Sequence, residues 1–106
     1  FPALTTDDGY CRFSQTERAN PGPQFTWGWV NAAAKAIDAF RAGPPIQART
    51  LILSNPDDAI VPASAHTCER FAGPCEVISY PGLGHELYTS AERAEPIAAT
   101  RRFLGY

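Results

Sequence analysis

Residues Leu51–Pro62 read LILSNPDDAIVP, a short apolar run that breaks at Asn55-Pro56 and delivers two adjacent carboxylates, Asp57 and Asp58. A second short run, Val77–Tyr80, leads into Pro81–Tyr88, PGLGHELY, where His85 follows a glycine. Both runs have the length of strands, and each closes on Pro/Gly turn chemistry. Between them Ala65, Cys68 and Phe71 or Ala72 recur at helical spacing over Ala63–Ala72, with Gly73 and Pro74 as a stop. Strand, helix, strand predicts a parallel pair joined by a right-handed crossover. Neighbouring parallel strands lie about 5 Å apart and point their carboxyl ends the same way. Asp58 and His85 are therefore expected to meet above one sheet edge, and an acid that orients a histidine is what prepares a nucleophile in a catalytic triad.

At 106 residues the chain suits a single small α/β unit, with about 60% of its unfolded surface buried. A net charge of −2 and a single lysine, Lys35, leave no basic stripe, so nucleic acid is not an expected partner. No apolar run approaches the ~20 residues that span a bilayer, and the N-terminal residues have no signal-peptide pattern. Three cysteines fit neither a disulfide framework nor a four-ligand zinc spacing. Cys68 and Cys75 are close enough in sequence to bridge a helix end to a strand start, but ordinary buried thiols are the expectation; Cys11 shows no role.

Upstream, Trp27–Arg41 is the clearest helix. Thr26 is placed to cap it, Gly43, Pro44 and Pro45 end it, and Val30, Ala33, Ala34, Ile37 and Phe40 form one apolar face. Phe25, Trp27 and Trp29 gather three large rings at its start. They are candidates for an apolar substrate pocket, with a packing anchor for the helix end as the equal alternative. Downstream, Thr89 with Glu92 suggests a capping box, and Pro96 predicts a short first turn followed by a second helix starting near it. The Arg101-Arg102 pair suits the last turn of that helix.

In this order and at this separation, LILSNPDDAIVP and PGLGHELY resemble the acid and histidine segments that close the α/β-hydrolase fold. TWGWVNAAAKAIDAF resembles the segment before them in bacterial lysophospholipases of the monoacylglycerol lipase type, and ALTTDDGYCRF resembles, more loosely, that group's cap segment. The resemblance implies that the chain is the C-terminal part of such a fold: a cap-derived segment over residues 1–45, then an α/β part over residues 46–106. It implies Asp58 as triad acid and His85 as triad histidine, with Asp57 a spectator or turn-former. The family usually begins the acid turn with glycine; Asn55 stands there instead, a residue that also accepts left-handed geometry.

The implied activity is hydrolysis of carboxylic esters of lipids through an acyl-enzyme, without metal or other cofactor. The sequence contains no G-x-S-x-G, so the nucleophile is expected on a missing N-terminal half, and the chain alone is expected to be inactive. A strand edge left open by that missing half would favour homo-oligomers. A cytoplasmic location is expected, with membrane-surface association left open.

The same residues admit other chemistries. A peptidase or an Asp-nucleophile dehalogenase shares the fold, and a binding domain could use the tryptophan cluster. A divalent cation at Asp57 and Asp58 would want further carboxylates and a nearby lysine. His66, on the polar side of the middle segment, is expected to be solvated, and Glu86 to contact the sheet end or nothing.

Overall fold

The computed structural model describes residues 5–10, 12, 16 and 26–106. Phe25 and Cys11 lie outside the described residues.

The described part is mixed α/β. Helix α1, Trp27–Ala42, is followed by strand β1, Thr50–Ser54, strand β2, Cys75–Ser79, and helix α2, Ala94–Leu104. Two single 3₁₀ turns, Ala63–Ala65 and Leu87–Thr89, interrupt the connections. The strands pair in parallel, with Thr50 opposite Cys75 and Ser54 opposite Ser79. The ladder continues past the strand ends: Thr50 N–H donates to Pro74 O at 2.8 Å and Tyr80 N–H to Ser54 O at 2.7 Å. Side chains alternate across the pair, so Leu51, Leu53, Glu76 and Ile78 share one face and Ile52 and Val77 the other. Among the described residues the sheet has these two strands alone.

Helix α1 begins as its sequence requires. Thr26 is extended and its hydroxyl accepts from Trp29 N–H at 3.2 Å. Its other end stops at Gly43, which is extended rather than left-handed. There Arg70 Nη2 donates to Phe40 O at 2.9 Å, to Pro44 O at 3.1 Å and to Gly43 O. The same guanidinium stands over the Phe40 ring, 5.6 Å from its centroid. One arginine thus serves as an external C-cap for carbonyls the helix cannot satisfy itself. The predicted apolar face is exposed: Val30, Ile37 and Phe40 all show large fractions of their surface, and no residue of α1 is buried.

The helix expected over Ala63–Ala72 does not form. Only Ala63–Ala65 makes a 3₁₀ turn, and His66 leaves helical geometry at φ −94°, ψ 69°. One long-range bridge and one short covalent ring override a weak local preference. Phe71 forms a parallel bridge with Ile46, through Ile46 N–H to Arg70 O and Ala72 N–H to Ile46 O, both 2.8 Å. Cys68 and Cys75 are joined in a disulfide, correcting the expectation of free thiols. Ser64, His66, Thr67 and Cys68 are poor helix formers, so little helical stability is lost in meeting these constraints.

The tail follows its expected division, with a different start. Helix α2 begins at Ala94 and places Pro96 in its first turn, where a missing N–H costs nothing. The Thr89/Glu92 capping box is absent: Thr89 Oγ1 donates back to Glu86 O and Glu86 Oε2 at 3.1 Å, and Glu92 accepts from Thr6 Oγ1 at 2.8 Å. Arg101 and Arg102 occupy the last turn, and Gly105 closes it at φ 85°, the left-handed position glycine takes without strain.

The N-terminal threonines and aspartate dock on this tail. Thr5, 2% exposed, donates to Thr89 O at 2.7 Å, Ala91 N–H donates to Thr6 Oγ1 at 2.9 Å, and Arg93 Nη1 donates to Asp7 Oδ2 at 2.8 Å. Buried apolar side chains are few among the described residues, Ala99 and Pro96 being the clear cases, while Ile60, Val77, Ile97 and Leu104 are exposed. Among the described residues, most apolar side chains are therefore not committed to an internal core.

Candidate functional site

Both turns that follow the strands rise from the same sheet edge, because the strands are parallel and in register at Ser54 and Ser79. After β1, Asn55-Pro56-Asp57-Asp58 forms a tight turn in which Asp58 N–H donates to Asn55 O at 3.3 Å. Pro56 presets the turn's φ at its second position. After β2, Pro81-Gly82 makes the return, with Gly82 at φ 83° in the place where a type II turn needs a residue of positive φ. His85 is carried on the loop beyond it.

The structure brings Asp58 and His85 together. Asp58 Oδ2 lies 2.8 Å from His85 Nδ1. The Asp58 side chain is only 3% exposed, whereas His85 keeps about a third of its own surface open, at 34%. The second carboxylate oxygen is also occupied: Oδ1 accepts from Ile60 N–H at 2.7 Å and from Val61 N–H at 3.1 Å. Three donors thus fix the carboxylate. Burial alone pushes the Asp58 carboxyl up; the hydrogen bonds from His85, Ile60 and Val61, with the attraction of the His85 ring, outweigh it and hold the group below its ordinary value.

That balance makes stability pH-dependent in a stated direction. A carboxyl whose folded pKa is depressed binds its proton more readily in the unfolded chain, so its contribution is complete above the ordinary value of 3.8 and is lost as pH falls through the lower folded value. The thermal midpoint of the wild-type chain is therefore expected to drop on acidification below about pH 4. Asp58→Asn should shed that part of the decline, so that its midpoint converges on the wild type in acid. Parallel acid limbs for the two proteins would contradict the assignment.

Asp57 is exposed, and its N–H donates to Asn55 Oδ1 at 2.9 Å, which is a turn-former's arrangement. Its neighbour Asp58 is turned toward His85, and among the described residues no group of three His, Cys, Asp or Glu side chains could hold a metal ion.

His85 borders a cleft of about 450 Å³ lined by Leu51, Leu53, Glu86, Leu87, Tyr88 and Thr89. Leucines from one face of β1 supply an apolar wall beside the imidazole. Glu86 meets two groups in this region: Thr89 Oγ1, and the Tyr10 phenol, whose pKa is raised by its hydrogen bond to the Glu86 carboxylate. Trp27 and Trp29 are not among the residues lining this cleft; they stand on the first turn of α1, with Trp27 89% exposed.

Two polar links at the end of β1 escaped the sequence reading. His66 is not simply solvated: its Nδ1 lies 2.8 Å from the hydroxyl of buried Ser54, pinning the crossover to the strand end. Asn55, 4% exposed, donates from Nδ2 to Leu83 O, joining the acid turn to the loop that carries the histidine. It does this without the left-handed backbone its position suggested, since no described non-glycine residue has positive φ. An asparagine directly before a proline reads as turn chemistry, and nothing local marks its amide for a partner 28 residues away. No family model, curated protein or solved structure matches the chain.

Proposed function

We propose that this chain supplies the acid and the base of a serine-type hydrolase of the α/β-hydrolase fold, acting on carboxylic esters of lipids. The observation that carries the reading is the contact of buried Asp58 with Nδ1 of partly open His85 at the carboxyl ends of two parallel strands. An aspartate accepting Nδ1–H leaves Nε2 as the free base. In the reaction Nε2 takes the proton of a nucleophilic hydroxyl as its oxygen attacks the ester carbonyl. The imidazolium, stabilised by the Asp58 carboxylate, then returns that proton to the departing alcohol and leaves an acyl-enzyme. Water, deprotonated by the same nitrogen, releases the acid and regenerates the hydroxyl.

The nucleophile belongs to a segment outside this sequence, which has no G-x-S-x-G. Among the described residues, the two-stranded sheet and the small share of buried apolar side chains support a role as one part of a larger fold. Lipid as the substrate class rests on the likeness of the helix α1 segment to lysophospholipases and is supported by the leucine wall beside His85.

The test is an assay of the protein that unites this chain with its nucleophile-bearing portion, using lysophospholipid, monoacylglycerol and aminoacyl substrates. Ester hydrolysis of the first two is expected, and the isolated chain should show no turnover above background. Activity confined to aminoacyl substrates would sink the lipid assignment.

A further inference from the structure

We infer that Asn55 is a positioning residue for the Asp58–His85 pair: its side chain clamps the acid turn to the histidine loop and so sets the separation of the two groups. The inference rests on the pairing used in the proposed function and adds a residue to it. Asp58 and His85 sit on different loops, and a single hydrogen bond between them would leave each loop free to swing. Asn55 stands at the root of the acid turn, at the last residue before Pro56. Its amide is almost completely removed from solvent, and both ends are used.

Oδ1 accepts from Asp57 N–H at 2.9 Å, which shapes the turn, and Nδ2 donates to Leu83 O, two residues before His85. The orientation is determined chemically. Exchanging the amide's oxygen and nitrogen would set acceptor against acceptor at Leu83 and donor against donor at Asp57. A third link runs through the backbone, where Asn55 O accepts from Asp58 N–H at 3.3 Å. One residue therefore reads the position of both loops. Buried amides of this kind are costly unless satisfied, which makes the clamp stiff once formed.

Two substitutions separate the clamp from the turn. Asn55→Asp keeps an oxygen for Asp57 N–H but turns a second acceptor toward Leu83 O. Asn55→Ser keeps a short acceptor for the turn and cannot reach the second loop. The chain contains two histidines, so the ring nitrogens of His85 can be followed by nitrogen-15 NMR at neutral pH, with His66→Gln providing the assignment. In the wild type His85 should be held with its proton on Nδ1.

In both Asn55 variants that preference should be lost, leaving the tautomer mixture of a free imidazole, while the circular dichroism spectrum shows the fold retained. If Asn55→Asp fails to fold, Asn55→Ser decides the matter alone. Asp58→Asn is the reference. Should it abolish the preference while the Asn55 variants keep it, the clamp is wrong and the pair stands. Should Asp58→Asn itself leave His85 unchanged, the pair and the clamp fall together.

Discussion

On the proposed hydrolase reading, Asp58→Asn is expected to lower ester turnover about 10⁴-fold in a protein that unites this chain with a nucleophile. The amide retains the shape of the carboxylate but presents a donor or a weak acceptor to Nδ1, so the imidazole no longer holds its proton there and Nε2 is no longer a dependable base. It also removes the charge that stabilises the imidazolium in the transition state. The structure makes the comparison sharp, because the adjacent Asp57 is exposed and touches the turn through its backbone N–H. Asp57→Asn is therefore expected to be nearly silent. Measuring kcat for both variants on one lysophospholipid decides the point; equal losses, or full activity without Asp58, would remove the triad assignment.

The largest effect on stability is expected at Gly73. A Cβ placed there would stand 2.8 Å from Ala48 O and closer still to Gln47 O, and neither obstacle is a flexible side-chain end. Both carbonyls belong to the stretch between the Ile46–Phe71 bridge and the first residue of β1, and Gly73 N–H itself donates to Ile46 O at 3.3 Å. Making room would pull the crossover away from the approach to β1. Gly73→Ala should cost on the order of 3 kcal/mol, at the upper end for overpacking, where an alanine on an exposed loop would change little. Urea unfolding of the two proteins would show it as a lower midpoint at unchanged slope; a midpoint within error of the wild type would mean that the chain crosses here less closely than described.

Gly73 also shows what the sequence could and could not reveal. Local pattern marks it as a helix stop after Ala72, but no helix ends there; its actual constraint is the backbone of Gln47 and Ala48, about which local pattern is silent. The elements that were legible are those with local causes: α1 with its Thr26 cap, two strand-length apolar runs, the Pro81-Gly82 return, and Pro96 in the first turn of α2. Parallel pairing followed from the crossover between them, and it placed Asp58 and His85 at one edge. What stayed hidden was tertiary. The segment at Ala63–Ala72 had helical spacing but too little propensity to resist a strand-like bridge at Phe71 and a covalent bond at Cys68. Thr89 had the spacing of a cap, yet its hydroxyl turns back to Glu86 while Glu92 is claimed by Thr6.

The disulfide gives the chain a chemical setting as well as a shape. Cys68 and Cys75 close a short ring, and Arg70 projects from inside it to the three carbonyls at the end of α1. Thiol–disulfide exchange follows the surroundings: secreted and periplasmic environments keep such bridges closed, and the glutathione pool of the cytosol works to open them. A reduced ring keeps the same residues and the Ile46–Phe71 bridge but loses the covalent tie that flanks the guanidinium. The end of the tryptophan-bearing helix is thus held by a side chain from a segment whose covalent closure depends on the compartment in which the protein resides.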